Sequence, residues 1–210
     1  MPWPRYYSLL PTGCNFYSSR GIVINGLKDK LSIMKILALI GSPRRRGNTD
    51  LLVDAALTEA AKHGHTGEKL YLYDYELNPC IDCRACKKGE LVCVLKDDMP
   101  KLYKAIDSAD ALVLATPIYW YGPTAKMKLL IDRLRPYVAN RGLEGKKAYL
   151  IAPSEEGPSA CGPLVDSLKM SYKYLGLVYG GEALITANEK GEVAKKSGEM
   201  EKARRLLDSL

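Results

Sequence analysis

Four thiols are spaced through one short stretch as Cys80-x2-Cys83-x2-Cys86-x6-Cys93. Ionised side by side they would repel one another, so a cation or cluster that takes all four relieves a conflict that isolated cysteines do not have. Iron–sulfur clusters and tetrahedral zinc both accept four cysteine ligands. The close spacing of the first three is nearer to a cubane-cluster run than to two separate C-x2-C knuckles. Zinc, or a loop of reduced thiols that merely packs, stands as the alternative. Lys87 and Lys88, inside the run, would offset part of a cluster's negative charge. Cys14 and Cys161 stand apart from it and read as small, non-ligating residues.

A second concentration of polar donors lies at 41–49, GSPRRRGNT. It follows an unbroken apolar run, Ile36, Leu37, Ala38, Leu39 and Ile40, and precedes a helical stripe of Leu51, Leu52, Ala55, Ala56 and Ala60 with Gly64 as its stop. A loop that opens a helix at the end of a parallel strand offers unpaired N–H groups and the positive end of a dipole, and both favour an anion. Ser42, Arg44, Asn48 and Thr49 add side-chain donors, and phosphate is the expected guest. The loop lacks the Gly-Lys-Ser/Thr ending of a nucleotide-hydrolase P-loop, and Gly41 and Gly47 do not make the G-x-G-x-x-G of a dinucleotide fold. A mononucleotide is the better fit, set against an ordinary strand-to-helix turn with a capping Asn and solvated arginines.

The elements that must hold these groups alternate regularly. Further strands are expected at 69–73 (KLYLY), 109–115 (ADALVLA), 148–152 (AYLIA) and 177–185. Helices are expected from Asp97 with acidic residues in the first turn, from Pro123, over 164–175 ended by Gly176, and at the C-terminus with Met200, Ala203, Leu206, Leu207 and Leu210 on one side. Strands alternating with helices predict a parallel sheet covered on both faces. Polar loops after the first, third and fourth strands, including 116–122 (TPIYWYG), then fall on one edge of that sheet, where ligands of open α/β folds bind.

Taken together, GSPRRRGNT, DDM and SADALVLATPIYWYGPTAKMKLLIDRL resemble the NAD(P)H-dependent FMN reductase branch of the flavodoxin-like proteins, over most of residues 34–185. The resemblance implies an α/β fold, a flavodoxin-like three-layer sandwich with a five-stranded parallel sheet, here with a cysteine-rich loop insertion at 74–96. It makes Ser42, Arg44, Asn48 and Thr49 the cradle of the FMN 5′-phosphate. Pro117, Ile118, Tyr119, Trp120, Tyr121 and Gly122 would lie along the isoalloxazine, with Ser154 and Gly157 completing the pocket. A flat heteroaromatic ring needs such apolar and aromatic walls plus backbone groups for its polar edge. The cysteine spacing in turn resembles that of iron-sulfur flavoproteins, implying a [4Fe-4S] cluster on Cys80, Cys83, Cys86 and Cys93. The implied function is an FMN-dependent oxidoreductase or electron-transfer protein, moving electrons between NAD(P)H or a reduced carrier, FMN and a small-molecule or protein redox partner. No catalytic acid or base is called for. The family implies a homodimer or homotetramer. A flavin reductase without a cluster, and a non-enzymatic flavodoxin-like binding module with structural zinc, are the competing readings.

Composition narrows the rest. The 210 residues are 47% hydrophobic and 26% charged, globular values for a chain that can bury one good core. The net charge of +7 invites a nucleic-acid partner. Much of it, however, lies in Arg5, Arg20, Lys28 and Lys30 of residues 1–33 and in the arginines of the 41–49 loop, and no helix-turn-helix or base-stacking motif accompanies it. No secretion signal or bilayer-length apolar stretch is read, so a cytoplasmic protein with reduced thiols is expected and no membrane partner. Residues 1–33 show no period and read as an N-terminal extension outside the core fold of 34–210, with Met34 as the expected natural start. A docked arm anchored by Tyr6, Tyr7, Phe16 and Tyr17 is the alternative. His63 and His65 are expected to serve the dipole at a helix end.

Overall fold

The apolar run Ile36 to Ile40 makes up all but the first position of β1 (Lys35–Ile40), and every one of these residues is buried. Their side chains divide by the two-residue period of a strand. Leu37 and Leu39 join one core with Leu102, Leu130 and Leu168, whereas Ile36, Ala38 and Ile40 join a second with Leu52, Val53, Ala56 and Leu206. A strand with apolar residues on both faces therefore needs helices on both, and three layers result. The computed structural model describes residues 33–88, 90 and 93–210; the expected extension and Cys14 lie outside the described residues.

The other strands are β2 (Thr66–Tyr71), β3 (Ala111–Ala115), β4 (Lys147–Ser154) and β5 (Val178–Thr186). All four neighbouring pairs are parallel, in the order β2-β1-β3-β4-β5. That is the doubly wound, flavodoxin-like order, whose direction reverses between β1 and β3. The helices are α1 (Asn48–Lys62), α2 (Met99–Ser108), α3 (Ala125–Asp132), α4 (Pro136–Asn140), α5 (Gly162–Leu175) and α6 (Ser197–Arg204). Residues 33–210 form one compact unit. Among the described residues no helix is long and apolar enough to cross a membrane.

Several boundaries differ from the expectation, each for a local reason. β2 begins at Thr66 rather than Lys69, because its register is set by pairing Thr66 with Lys35 and Tyr71 with Ile40. As an edge strand with one neighbour it keeps a polar first half, which carries no apolar signal. α2 has no acidic residue in its first turn: Asp98 is its cap and Asp97 lies just outside. Pro123 likewise precedes α3, whose cap is Thr124, its hydroxyl accepting from Met127 N–H at 3.3 Å. His65 serves no helix end; its buried Nδ1 accepts from Met34 N–H at 3.2 Å and so fastens the start of β1. β5 carries a bulge opposite Ala148 and Tyr149, and a Cβ on Gly180 would lie 2.3 Å from the Tyr149 ring, so the buried tyrosine requires glycine there.

Candidate functional site

The two strands that flank the reversal of the sheet deliver the two loops in question. After β1, Gly41 N–H donates to Ala115 O at 2.7 Å and the Thr124 hydroxyl donates to Gly41 O at 2.6 Å, which ties the 41–49 loop to the loop after β3. Within the loop, Arg44 N–H donates to Ser42 Oγ at 3.2 Å and Gly47 N–H to Arg44 O at 3.0 Å. Arg46 is left-handed, with φ of 54°, and its N–H donates to the buried Asp50 carboxylate at 2.7 Å. Asp50 also accepts from Lys69 Nζ at 2.7 Å and Tyr71 OH at 2.6 Å. Burial works to raise its pKa, but these donors prevail and hold it below the usual carboxylate value. The loop is thus fixed from beneath by its own protein, before any ligand arrives.

The three arginines have different tasks. Arg44 lines a cavity of about 170 Å³ together with Ser42, Asn48 and Thr49. Arg45 turns away: it pairs with both oxygens of Asp74 and stacks over the Tyr71 ring, 3.4 Å from its centroid. Arg46 contributes the backbone turn described above. The same cavity takes Pro117, Ile118 and Tyr119 from the loop after β3 and Ser154 from the end of β4, so the loops expected to cooperate do share one space. It also takes Asn188 and Lys190, which follow β5 and which no local motif marked.

Asn48 lines this cavity but does not cap α1. The cap of α1 is Gly47, with no side-chain bond. The Asn48 amide is used on both sides, Nδ2 donating to Glu189 O at 2.9 Å and Oδ1 accepting from Val193 N–H at 3.2 Å. It therefore brackets the segment that brings Lys190 to the cavity, beside which Ser42, Arg44, Thr49 and the first-turn N–H groups of α1 offer donors.

The remaining loop residues divide similarly. Tyr119 and Gly122 exchange backbone hydrogen bonds of 2.9 and 3.0 Å around Trp120 and Tyr121, whose φ angles are 50° and 61°. Positive φ at both central residues is what a type I′ hairpin turn requires, and it is strained for side chains this large. Trp120 is 95% exposed. With Tyr121, Ile118 and Ser154 it walls an outer recess that also holds Glu155 and Glu156, next to the first cavity. Gly122 closes the hairpin rather than a pocket wall. Gly157 lines neither space; at φ of 71°, with Thr186 Oγ1 2.3 Å from where a Cβ would stand, it lets the chain turn closely against β5.

The cysteine loop opens on a separate cavity of about 260 Å³, lined by Cys80, Cys83, Cys86 and Cys93 with Lys87, Tyr103, Arg133 and Arg135. Lys88 is not on it. All four thiols are free, the first two exposed and the last two half-buried. Burial raises the pKa of the Cys86 thiol. Two left-handed residues, Asp82 at 48° and Arg84 at 64°, turn the chain so that its thiols face one space. Beneath them Arg133 and Asp97 form a fully buried ion pair, with Nη1 to Oδ2 at 2.7 Å and Nη2 to Oδ1 at 3.1 Å. Asp97 also accepts from the N–H groups of Asn78 at 2.9 Å and Met99 at 3.1 Å. Burial opposes its ionisation, and these donors nevertheless lower its pKa. Tyr103, whose hydroxyl donates to Arg133 O at 2.6 Å, is pushed by burial to a pKa of about 12. Among the described residues no group of three or more side chains is arranged as a site for a single metal ion.

With the phosphate-type loop and the aromatic loop on one cavity at the switch point, the comparison with known proteins becomes specific. The family described as NADPH-dependent FMN reductase matches residues 34–190. The chain belongs to that family. Its relative YwqN of Bacillus subtilis, named as an NAD(P)H-dependent FMN-containing oxidoreductase, is 30% identical over 182 residues, 83% of this chain and 97% of YwqN. An iron-sulfur flavoprotein of Methanocaldococcus jannaschii is 45% identical over 119 residues, 57% of this chain and 61% of that protein. One from Archaeoglobus fulgidus is 41% identical over 114 residues, 54% of this chain and 51% of that protein. The chain thus spans less than two thirds of either iron-sulfur flavoprotein. Among solved structures, the Trp repressor binding protein of Bacillus subtilis superposes with a TM-score of 0.63 at 26% identity, over 82% of this chain and 97% of that one. The NAD(P)H:quinone oxidoreductase of Methanothermobacter marburgensis shares the fold, with a TM-score of 0.64 at 20% identity over 83% and 94% of the two chains. In this FMN reductase family member, sequence reasoning did not mark Asn188 and Lys190 on the first cavity, Tyr103, Arg133 and Arg135 on the second, or Asp50 beneath the phosphate-type loop.

Proposed function

We propose that the chain is an FMN-dependent oxidoreductase that also carries a [4Fe-4S] cluster, moving electrons between NAD(P)H or a reduced carrier, FMN and a small-molecule or protein acceptor. The observation that carries the flavin reading is the convergence of Ser42, Arg44 and Thr49 with Pro117, Ile118 and Tyr119 on one cavity at the switch point. Anion donors meet apolar and aromatic walls there, which suits a phosphorylated flat heterocycle. Thr49, Arg44 and the N–H groups of the first turn of α1 would hold the 5′-phosphate, with Lys190 as a second cation. Ile118 and Tyr119 would flank the ring and exclude water from one side. FMN, when bound, supplies hydride and single-electron chemistry, so the protein's part is to bind and orient it.

For the second group, Cys80, Cys83, Cys86 and Cys93 are the ligands, and the support is their common cavity above a buried guanidinium. A cubane places each thiolate on its own iron, so its ligands need not converge on one point as zinc ligands do. Reduced thiols suit the cytoplasm. A homodimer or homotetramer is the assembly this reading carries, with light scattering as its measurement.

Anaerobic purification of the full chain, or reconstitution with iron and sulfide, tests the whole reading. Expected are about four irons per chain, stoichiometric FMN and broad absorption beneath the flavin bands. Cys86→Ala should lose iron and retain FMN. Flavin without iron uptake would leave a flavin reductase, and neither flavin nor iron would leave a non-enzymatic module.

A further inference from the structure

Arg133 has a polar atom with nothing to do. Its Nη1 donates to Asp97 and to Asn78 O at 2.9 Å and its Nη2 donates to Asp97, but its Nε, fully buried, has no hydrogen-bond partner among the described residues. A buried N–H without an acceptor is costly, and arginine at a buried pair with a carboxylate usually satisfies its fork. The rotamer is not free to search for a partner. Both carboxylate oxygens of Asp97 grip the two Nη atoms, Asp97 is itself held by Asn78 and Met99 N–H, and the side chain is 1% exposed. The same residue lines the cavity of the four cysteines.

We propose that Arg133 Nε–H donates a hydrogen bond to a sulfur of the cluster held by Cys80, Cys83, Cys86 and Cys93, and that Asp97 positions it. The inference rests on the cluster reading above. A cluster sulfur supplies the acceptor that Nε lacks among the described residues, and a directed N–H satisfies the donor that the ion pair leaves over. Because Asp97 cancels the net charge of Arg133, the pair acts on the cluster through this oriented bond and not as a bare cation. A hydrogen bond to sulfur stabilises the more negative, reduced state and so raises the reduction potential. Arg84 and Arg135, also on the cavity but exposed, are the competing arginines.

Full-length protein labelled with [15N]arginine, reconstituted anaerobically with iron and sulfide and reduced by one electron, decides between them by pulsed EPR. A 15N coupling to the cluster is expected, and it should survive both Arg84→Lys and Arg135→Lys and vanish in Arg133→Lys. Its absence in the loaded wild type, its loss in Arg84→Lys or Arg135→Lys, or its persistence in Arg133→Lys overturns the proposal. In a redox titration followed by EPR, Arg133→Lys keeps the charge and removes Nε–H. At a fixed potential its reduced-to-oxidised ratio should fall about tenfold, about 59 mV for one electron; an unchanged midpoint overturns the proposal. A wild type that takes up no iron fails at the earlier step, and both readings fall together. A loaded wild type without the coupling refutes the hydrogen bond alone.

Discussion

Asn48→Ala separates a bracket from a phosphate ligand. The amide makes two hydrogen bonds, to Glu189 O at 2.9 Å and from Val193 N–H at 3.2 Å, across a chain separation of 141 and 145 residues. Each neutral bond is worth about 0.5–1.5 kcal/mol net, and the Glu189 end is exposed, so the pair contributes about 1–2 kcal/mol. For a domain of this size each kcal/mol moves Tm by about 2–4 °C, and the flavin-free variant should melt about 2–8 °C below wild type. Lys190 rides on the released segment, so FMN should also bind more weakly, by about tenfold if about 1.4 kcal/mol of its contact with the phosphate is lost. Thr49→Val is the counterpart. It keeps the shape of a buried side chain and removes a hydroxyl facing the cavity. A bond to a charged group is worth about 1.5–3 kcal/mol, which predicts FMN affinity lowered about 10- to 100-fold, with riboflavin affinity and Tm unchanged. Calorimetry of the flavin-free proteins and fluorescence titrations with FMN and riboflavin read all three quantities, Tm and the two affinities. An Asn48→Ala protein with wild-type Tm and a selective loss of FMN would mean that the amide touches the phosphate, and the bracket would be wrong.

The strained hairpin predicts a trade. Tyr121→Gly places glycine where φ is 61° and should stabilise the protein by about 1 kcal/mol, while slowing electron transfer to aromatic acceptors; a lower Tm would refute the strain. Asp97 has a depressed folded pKa, so its stabilisation is present above the unfolded value of about 3.9 and is lost as pH falls through the folded one. Asp97→Asn, which leaves Arg133 buried without a counter-charge, should cost about 3–5 kcal/mol near neutral pH. The gap to wild type should narrow below about pH 4, as urea titrations at several pH values would show. A chain beginning at Met34 should retain its FMN and its Tm; loss of soluble protein would make residues 1–33 a structural arm.

The sheet was legible because its central strands bury both faces. β1 and β3 carry runs with no polar interruption, and only a covered parallel sheet tolerates those. β2 was displaced in the reading because an edge strand needs little apolar surface, and what fixes Thr66 opposite Lys35 is backbone pairing to a partner that sequence does not display. The helix starts failed for the opposite reason. Proline at 123 and the acids at 97 and 98 are strong local signals, yet Thr124 and Asp97 were drawn into longer-range bonds, to Gly41 and Arg133.

Long-range pairing also limited the reading of the site. Ser42, Arg44 and Thr49 stand within one loop, and the cysteines within another, so spacing alone could group them. Asn48 helps to hold the segment that carries Lys190 to the first cavity, and Arg133 reaches the second where α3 ends. α3 is therefore the element that relates the two sites. Its first end is fixed by Thr124, whose hydroxyl donates to Gly41 O of the phosphate-type loop and whose N–H donates to Thr116 Oγ1 in the aromatic loop at 3.1 Å. Its other end is fixed by Arg133, clamped to Asp97 beside the thiols. Eight helical residues rise about 12 Å, and Met127 and Leu130 anchor them in the core. The two cavities thus hang from opposite ends of one half-buried helix, each end held by a side chain whose partner lies in a different part of the chain. A helix read only for its apolar stripe shows neither bond, because the stripe governs which face is buried and says nothing of what its two ends hold.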